Sequence, residues 1–167
     1  MATVSLIMGS DSDMPVMAKA AEILEQFGVD FEMRILSAHR QPEQLGEYVK
    51  SLQANGCKAV IAGAGKAAAL PGVCASFTAL PVIGIPMKTS DLGGVDSLYS
   101  IVQMPTGVPV ATVAINGGAN AGLLAVQMMA VYDEALAKKV DEYRANQAAA
   151  CDAKDAKLSS EGYKAFL

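Results

Sequence analysis

Short apolar runs alternate with amphipathic stretches at least five times along this chain, and that alternation limits the fold more than any other feature. Thr3 to Met8 is an apolar run that stops at Gly9. Met14 to Phe27 has helical period, with Val16, Ala20, Ile23, Leu24 and Phe27 on one face and Gly28 as the stop. Val29, Phe31, Met33 and Ile35 alternate with polar residues, the period of a strand with one buried face. Pro42 opens a second helix that ends near Asn55-Gly56. Lys58 to Ala62 and Pro81 to Ile85 read as further strands, with a helical stretch to about Phe77 between them. Val110 to Ile115 reads as a fifth strand, and from Ala119 a long helix runs through Tyr132 towards Arg144. The tail from about Ala145 is rich in Ala, Lys and Asp and reads as a weakly packed end with a short last helix. Such alternation predicts an α/β fold with a central parallel sheet, because each parallel crossover returns over a face of the sheet and covers it. No repeat or linker interrupts the pattern, so the 167 residues are expected to form one domain.

Composition removes several classes of function. Apolar residues make up 52% of the chain, too many for a disordered segment. The 13 basic and 17 acidic residues leave a net charge of −4, which argues against a non-specific nucleic-acid partner. With no run of about eighteen apolar residues and no basic segment ahead of an apolar core, neither a membrane span nor an export signal is expected. Cys57, Cys74 and Cys151 fall in no metal-type motif and read as buried small hydrophobes in a reduced, cytoplasmic protein. The nine methionines read as core filling. His39 is the single histidine, so His-x-x-x-His zinc sites and two-histidine relays within one chain are excluded. Imidazole chemistry passes through position 39 or through none.

Ligands of open parallel sheets bind beyond the carboxyl ends of the strands, and three loops with chemical content fall at that edge. Gly9-Ser10-Asp11-Ser12-Asp13 combines a tight turn, hydroxyl donors and the following helix N-terminus, which together suit an anion, while Asp13 can accept from ribose hydroxyls. Ser and Asp are also the preferred helix N-caps, so the cluster has a purely structural use as well. It is neither a Walker loop nor Gly-x-Gly-x-x-Gly. In Ser37-Ala38-His39-Arg40 the guanidinium suits phosphate, Ser37 adds a neutral donor, and the imidazole can give and take a proton near neutral pH. The alternative is a histidine that caps a helix beside a surface arginine. Gly63-Ala64-Gly65-Lys66-Ala67-Ala68-Ala69 lets backbone approach a ligand closely, or else serves tight helix–sheet packing with Lys66 in solvent.

These motifs, with Leu70-Pro71-Gly72 and the stretch Gly94 to Pro105 (Gly-Val-Asp-Ser-Leu-Tyr-Ser-Ile-Val-Gln-Met-Pro), stand in the order and spacing of one family. From Val4 to about Tyr132 the chain resembles the N5-carboxyaminoimidazole ribonucleotide mutases, the class I PurE type of purine (IMP) biosynthesis. The resemblance implies a flavodoxin-like, three-layer α/β/α subunit, assembled as a homo-octamer with active sites at subunit junctions. It implies a small-molecule ribonucleotide substrate and CO2, with no ATP, biotin or metal. Ser10, Ser12, Ser37 and Arg40 then hold the 5′-phosphate, with Ala38 in the same loop, and Asp13 holds the ribose. His39 is the general acid–base, protonating the ring as the carbamate sheds CO2 and later removing the C4 proton. The backbone of Gly63, Ala64, Gly65, Lys66 and Ala67, followed by Leu70, lines the pocket that retains CO2; holding it there is a proximity effect of the kind that supplies about 7–11 kcal/mol in well-oriented systems.

The chain departs from the family pattern at two positions. Ala69 stands where the family usually has His, and its side chain neither donates nor accepts a proton. Lys66 stands where Gly is common. Three explanations of Ala69 remain open: an engineered change, a natural variant in which His39 carries the proton chemistry alone, or a paralogue that binds the nucleotide without converting it. A carboxylase that takes free CO2 is the other enzymatic reading, although that branch of the family has Lys where this chain has Arg40.

Overall fold

The computed structural model describes residues 3–167. Its strands are β1 (Val4–Met8), β2 (Phe31–Ile35), β3 (Ala59–Ala64), β4 (Val82–Pro86) and β5 (Ala111–Thr112). All pair in parallel in the order β2-β1-β3-β4-β5. Every residue of β1, β3 and β4 is buried, as the uniformly apolar runs require of strands covered on both faces. β2 is an edge strand, and only part of its expected apolar face is covered: Phe31 and Met33 are half-buried, whereas Ile35 is exposed.

The helices α1 (Met14–Phe27), α2 (Pro42–Leu52), α3 (Leu70–Phe77), α4 (Val95–Val102) and α5 (Gly118–Ala130) alternate with the strands. Ile7, Val60, Ala62 and Ala64 point into one core with Leu45, Val49 and Leu52 of α2, Cys74 of α3 and Ile101 of α4. Gly63 points the other way, towards Met17 of α1. The α1 and α5 helices approach closely there, for a Cβ on Gly122 would lie 2.8 Å from the Ala20 carbonyl oxygen. The result is a three-layer α/β/α unit.

The α1 helix keeps the bounds its sequence predicts, because Gly28 takes a left-handed φ of 72° and its N–H donates to the carbonyls of Glu25 and Leu24. Later elements differ. β5 has two residues rather than the six expected, and beyond it the chain is tied to β4 by single bonds from Val113 N to Gly84 O and from Asn116 N to Pro86 O. The helix expected to run from 119 to 144 breaks after Ala130; Asp133 caps a new helix, α6 (Glu134–Glu161), by accepting from Leu136 N. No break occurs at 145, where the chain is already within α6 and exposed, and the short last helix expected of the tail is a 3₁₀ turn at Tyr163–Phe166.

The residues up to Met128 form one compact unit and Met129–Leu167 a second. Within the second, α6 buries only Leu136 and Val140. Burial pushes the thiol of Cys57 up and that of Cys74 up to about 12, consistent with small hydrophobes, whereas Cys151 is exposed on α6, contrary to its sequence-based assignment. No helix among the described residues is long and apolar enough to cross a membrane.

Candidate active site

The sheet order reverses direction between β1 and β3, and the loops that leave the carboxyl ends of β1 to β4 surround a cleft of about 610 Å³. Its walls include Ser10, Ser12 and Asp13 after β1, Ser37, Ala38, His39 and Arg40 after β2, and Ala64, Gly65, Lys66 and Ala67 after β3, with Leu70 at the start of α3. Three loops that are far apart in sequence therefore share one site. Among the residues expected in the site, Gly63 alone does not line it. It lies inside β3, where a Cβ would come 2.3 Å from Met87 Cε and 2.7 Å from Met17 Sδ, so its role is packing.

After β1 the chain makes a single 3₁₀ turn, Asp11–Asp13, capped by Ser10. The Ser10 hydroxyl accepts from Ser12 N at 3.3 Å and from the Ser12 hydroxyl at 2.9 Å, and donates to Asp11. Capping is thus one true function of this cluster. Asp13, at the N-cap of α1, makes no side-chain capping bond; burial and the neighbouring Asp11 carboxylate raise its pKa above the usual value.

The β2 loop is clamped from both sides. Ser37 is buried, its hydroxyl accepts from Arg40 N at 3.3 Å, its carbonyl accepts from Gln41 N at 2.8 Å, and its own N–H donates to the Gln41 side chain. His39 sits exposed on the turn so formed, and Gln41, not His39, is the N-cap of α2. Arg40 Nη2 donates to the Gly9 carbonyl at 2.8 Å, tying the β2 loop to the β1 loop. The other N–H groups of the guanidinium retain their capacity for an anion.

The β3 loop differs in kind. Lys66 has φ of 56°, a left-handed conformation that a residue with a Cβ rarely adopts. Its Nζ lies 3.2 Å from Asp91 Oδ2, with both side chains largely exposed. Met87, Lys88 and Thr89 complete the wall after β4. The rule that directs attention to carboxyl ends of strands applies equally to the strand read from Pro81 to Ile85, but Met-Lys-Thr carries no polar cluster to mark it. Gly65 admits Thr89, whose Cγ2 would lie 3.1 Å from a Cβ at position 65.

Among the wall residues Arg40, Lys66 and Lys88 are cationic, and Asp13 is the one carboxylate. A cationic cleft in a chain of net charge −4 concentrates field where an anionic ligand enters. Residues 3–150 match the family model described as AIR carboxylase. The chain belongs to the AIR carboxylase family. Among other members, an N5-carboxyaminoimidazole ribonucleotide mutase of Thermotoga maritima is 54% identical over 167 residues, covering 100% of this chain and 98% of that protein. A phosphoribosylaminoimidazole carboxylase of Candida glabrata is 54% identical over 164 residues, 98% of this chain and 29% of that longer protein. In the crystal structure of Treponema denticola PurE, the fold superimposes with a TM-score of 0.85 at 34% identity, covering 93% of this chain and 97% of that one. The likeness to the Treponema denticola structure extends over nearly the whole of both chains, so the fold described above is the fold of that structure.

Proposed function

We propose that this cleft converts N5-carboxyaminoimidazole ribonucleotide to 4-carboxyaminoimidazole ribonucleotide, an isomerisation in purine biosynthesis, with His39 as the general acid–base. One observation carries the reading: the only histidine of the chain stands in the same cleft as Ser10, Ser12, Ser37 and Arg40, a set of donors suited to a phosphate. Identity of 54% with the Thermotoga maritima mutase along the whole chain supports it. Phosphate binds the serines and the Arg40 fork, and Asp13 accepts from the ribose. One proton is delivered to the aminoimidazole as the carbamate N–C bond breaks and CO2 leaves. C4 then attacks the retained CO2, the new C–C bond forms, and one proton leaves C4. The two transfers cancel, so a single imidazole serves both. Gly65 to Ala67 and Leu70 keep CO2 beside C4.

Assembly into a homo-octamer belongs to the same reading. Val95, Tyr99 and Val102 recur at helical spacing on α4 with exposures of 46, 63 and 48%, and an outward apolar stripe of this kind suits contact with another copy of the chain. We also assign the protein to the cytoplasm, where unpaired thiols such as Cys57, Cys74 and Cys151 persist.

The test is to supply N5-carboxyaminoimidazole ribonucleotide without ATP and to measure 4-carboxyaminoimidazole ribonucleotide above the uncatalysed background. Product establishes the mutase with Ala69 in place. Consumption of aminoimidazole ribonucleotide and bicarbonate, with none of the carbamate isomer, identifies a carboxylase instead. Nucleotide binding with neither conversion leaves a binding protein and overturns the reading.

A further inference from the structure

Lys66 combines two features that do not explain each other. Its backbone is left-handed at φ 56°, a strain that glycine would relieve. Its visible reward is an ion pair with Asp91 at 3.2 Å, in which the two side chains are 71 and 65% exposed, and pairs this open contribute little to stability. A residue that carries backbone strain in the wall of a cleft for so weak a structural return is a candidate for a ligand contact. Beside it, the Thr89 hydroxyl is buried and has no hydrogen-bond partner among the described residues. Lys66 and Thr89 lie after β3 and β4, whereas Arg40 and the serines lie after β1 and β2, so the cleft has cationic groups at two separate ends.

We infer that Lys66 recognises the carboxylate of the nucleotide by exchanging Asp91 for it, so that the β3–β4 end distinguishes carboxylated from uncarboxylated ligands. The inference rests on the function proposed above and adds to it the residue that reads the carboxyl group. In the free protein Asp91 occupies the Lys66 ammonium and keeps it over the mouth of the cleft. A ligand carboxylate displaces it. Opening the pair releases the segment from Thr89 to Asp91 and offers the unpartnered Thr89 hydroxyl to the same carboxylate. Ala69, with no polar side-chain atom, cannot compete for this role.

The experiment measures, by calorimetry, the affinity of the full chain for aminoimidazole ribonucleotide and for 4-carboxyaminoimidazole ribonucleotide. Lys66→Gly suits the left-handed backbone and so retains the fold. It is expected to weaken the carboxylated nucleotide about tenfold and the other less than about twofold, whereas Lys66→Arg keeps the discrimination. Asp91→Asn removes the competitor and is expected to tighten the carboxylated nucleotide about two- to threefold at low salt. Equal losses for both nucleotides in Lys66→Gly, or no loss, overturn this inference and leave the proposed function standing. Weaker binding of the carboxylated nucleotide by Asp91→Asn overturns the exchange. Wild-type protein that binds neither nucleotide overturns the proposed function and this inference together.

Discussion

The two ends of the cleft are built on opposite plans. At the β1–β2 end the side chains hold one another: Ser12 to Ser10, Arg40 N to Ser37, Arg40 Nη2 to the Gly9 carbonyl. Its geometry is set before a ligand arrives, so little ordering entropy is lost on binding. At the β3–β4 end there are small side chains, a strained cation in an exposed ion pair, and a hydroxyl without a partner among the described residues. The first plan suits an anion held in one place. The second suits a group that arrives, leaves and returns. The difference teaches that preorganisation need not be uniform within one site, and that the polar half of a site leaves the plainer record in sequence.

The largest expected effect breaks the chemical end. His39→Asn should lower turnover about 10²- to 10⁴-fold while nucleotide affinity changes little, as steady-state rates and calorimetry will show. Turnover near the wild-type level would move the proton chemistry elsewhere. Next, Ala69→His tests whether the β3–β4 end lacks a proton-transfer group. A gain of about tenfold in turnover is expected, and a gain as large as the loss from His39→Asn would reverse the roles of the two ends. Arg40→Lys keeps the charge and loses the fork. Affinity for the nucleotide should fall about tenfold, roughly 1.4 kcal/mol, and unchanged affinity would remove the phosphate from that position.

Two smaller effects concern stability. Lys66→Gly relieves the left-handed backbone, partly offset by the freedom glycine adds to the unfolded chain, and should stabilise the protein by about 0.5–1 kcal/mol in thermal or urea unfolding. That variant would be the more stable protein and the poorer binder of the carboxylated nucleotide. Asp13 has its pKa raised by burial and by Asp11, so the folded state holds its proton more tightly than the unfolded chain does. Ionised Asp13 therefore costs stability above its folded-state pKa, and the cost disappears as pH falls below the ordinary aspartate value. Asp13→Asn should raise the unfolding midpoint slightly at pH 7, with the difference from wild type closing towards acid pH. A difference that grows in acid would contradict the assignment.

Local signals in the sequence went far where one physical cause dominates. The bounds of α1 follow from its helical apolar period and from Gly28 at its end, and the parallel sheet follows from buried apolar runs separated by helical periods. That His39 and Arg40 share a cleft with the β1 and β3 loops was legible because polar loops at one edge of a parallel sheet converge. What was not legible depends on tertiary neighbours. The break before α6 turns on Asp133 accepting from Leu136 N, although Tyr132 and Asp133 also fit a continuous helical period. The α4 helix is an eight-residue element between Gly94 and Gln103 with exposed Val95, Tyr99 and Val102, so no polar outer face marks it in the sequence. Met87, Lys88 and Thr89 enter the wall only because β4 neighbours β3.

Gly63 carries a consequence for anyone who redesigns the cleft. The thioether of Met17 and the methyl of Met87 already fill the space of its missing side chain. Both neighbours are the free ends of flexible side chains, so alanine is admitted once they swing aside, at some loss of packing, whereas a longer side chain needs the methionines trimmed. A library built on the cleft would therefore reach position 63 only together with positions 17 and 87, three residues that mutate as one block beneath the floor.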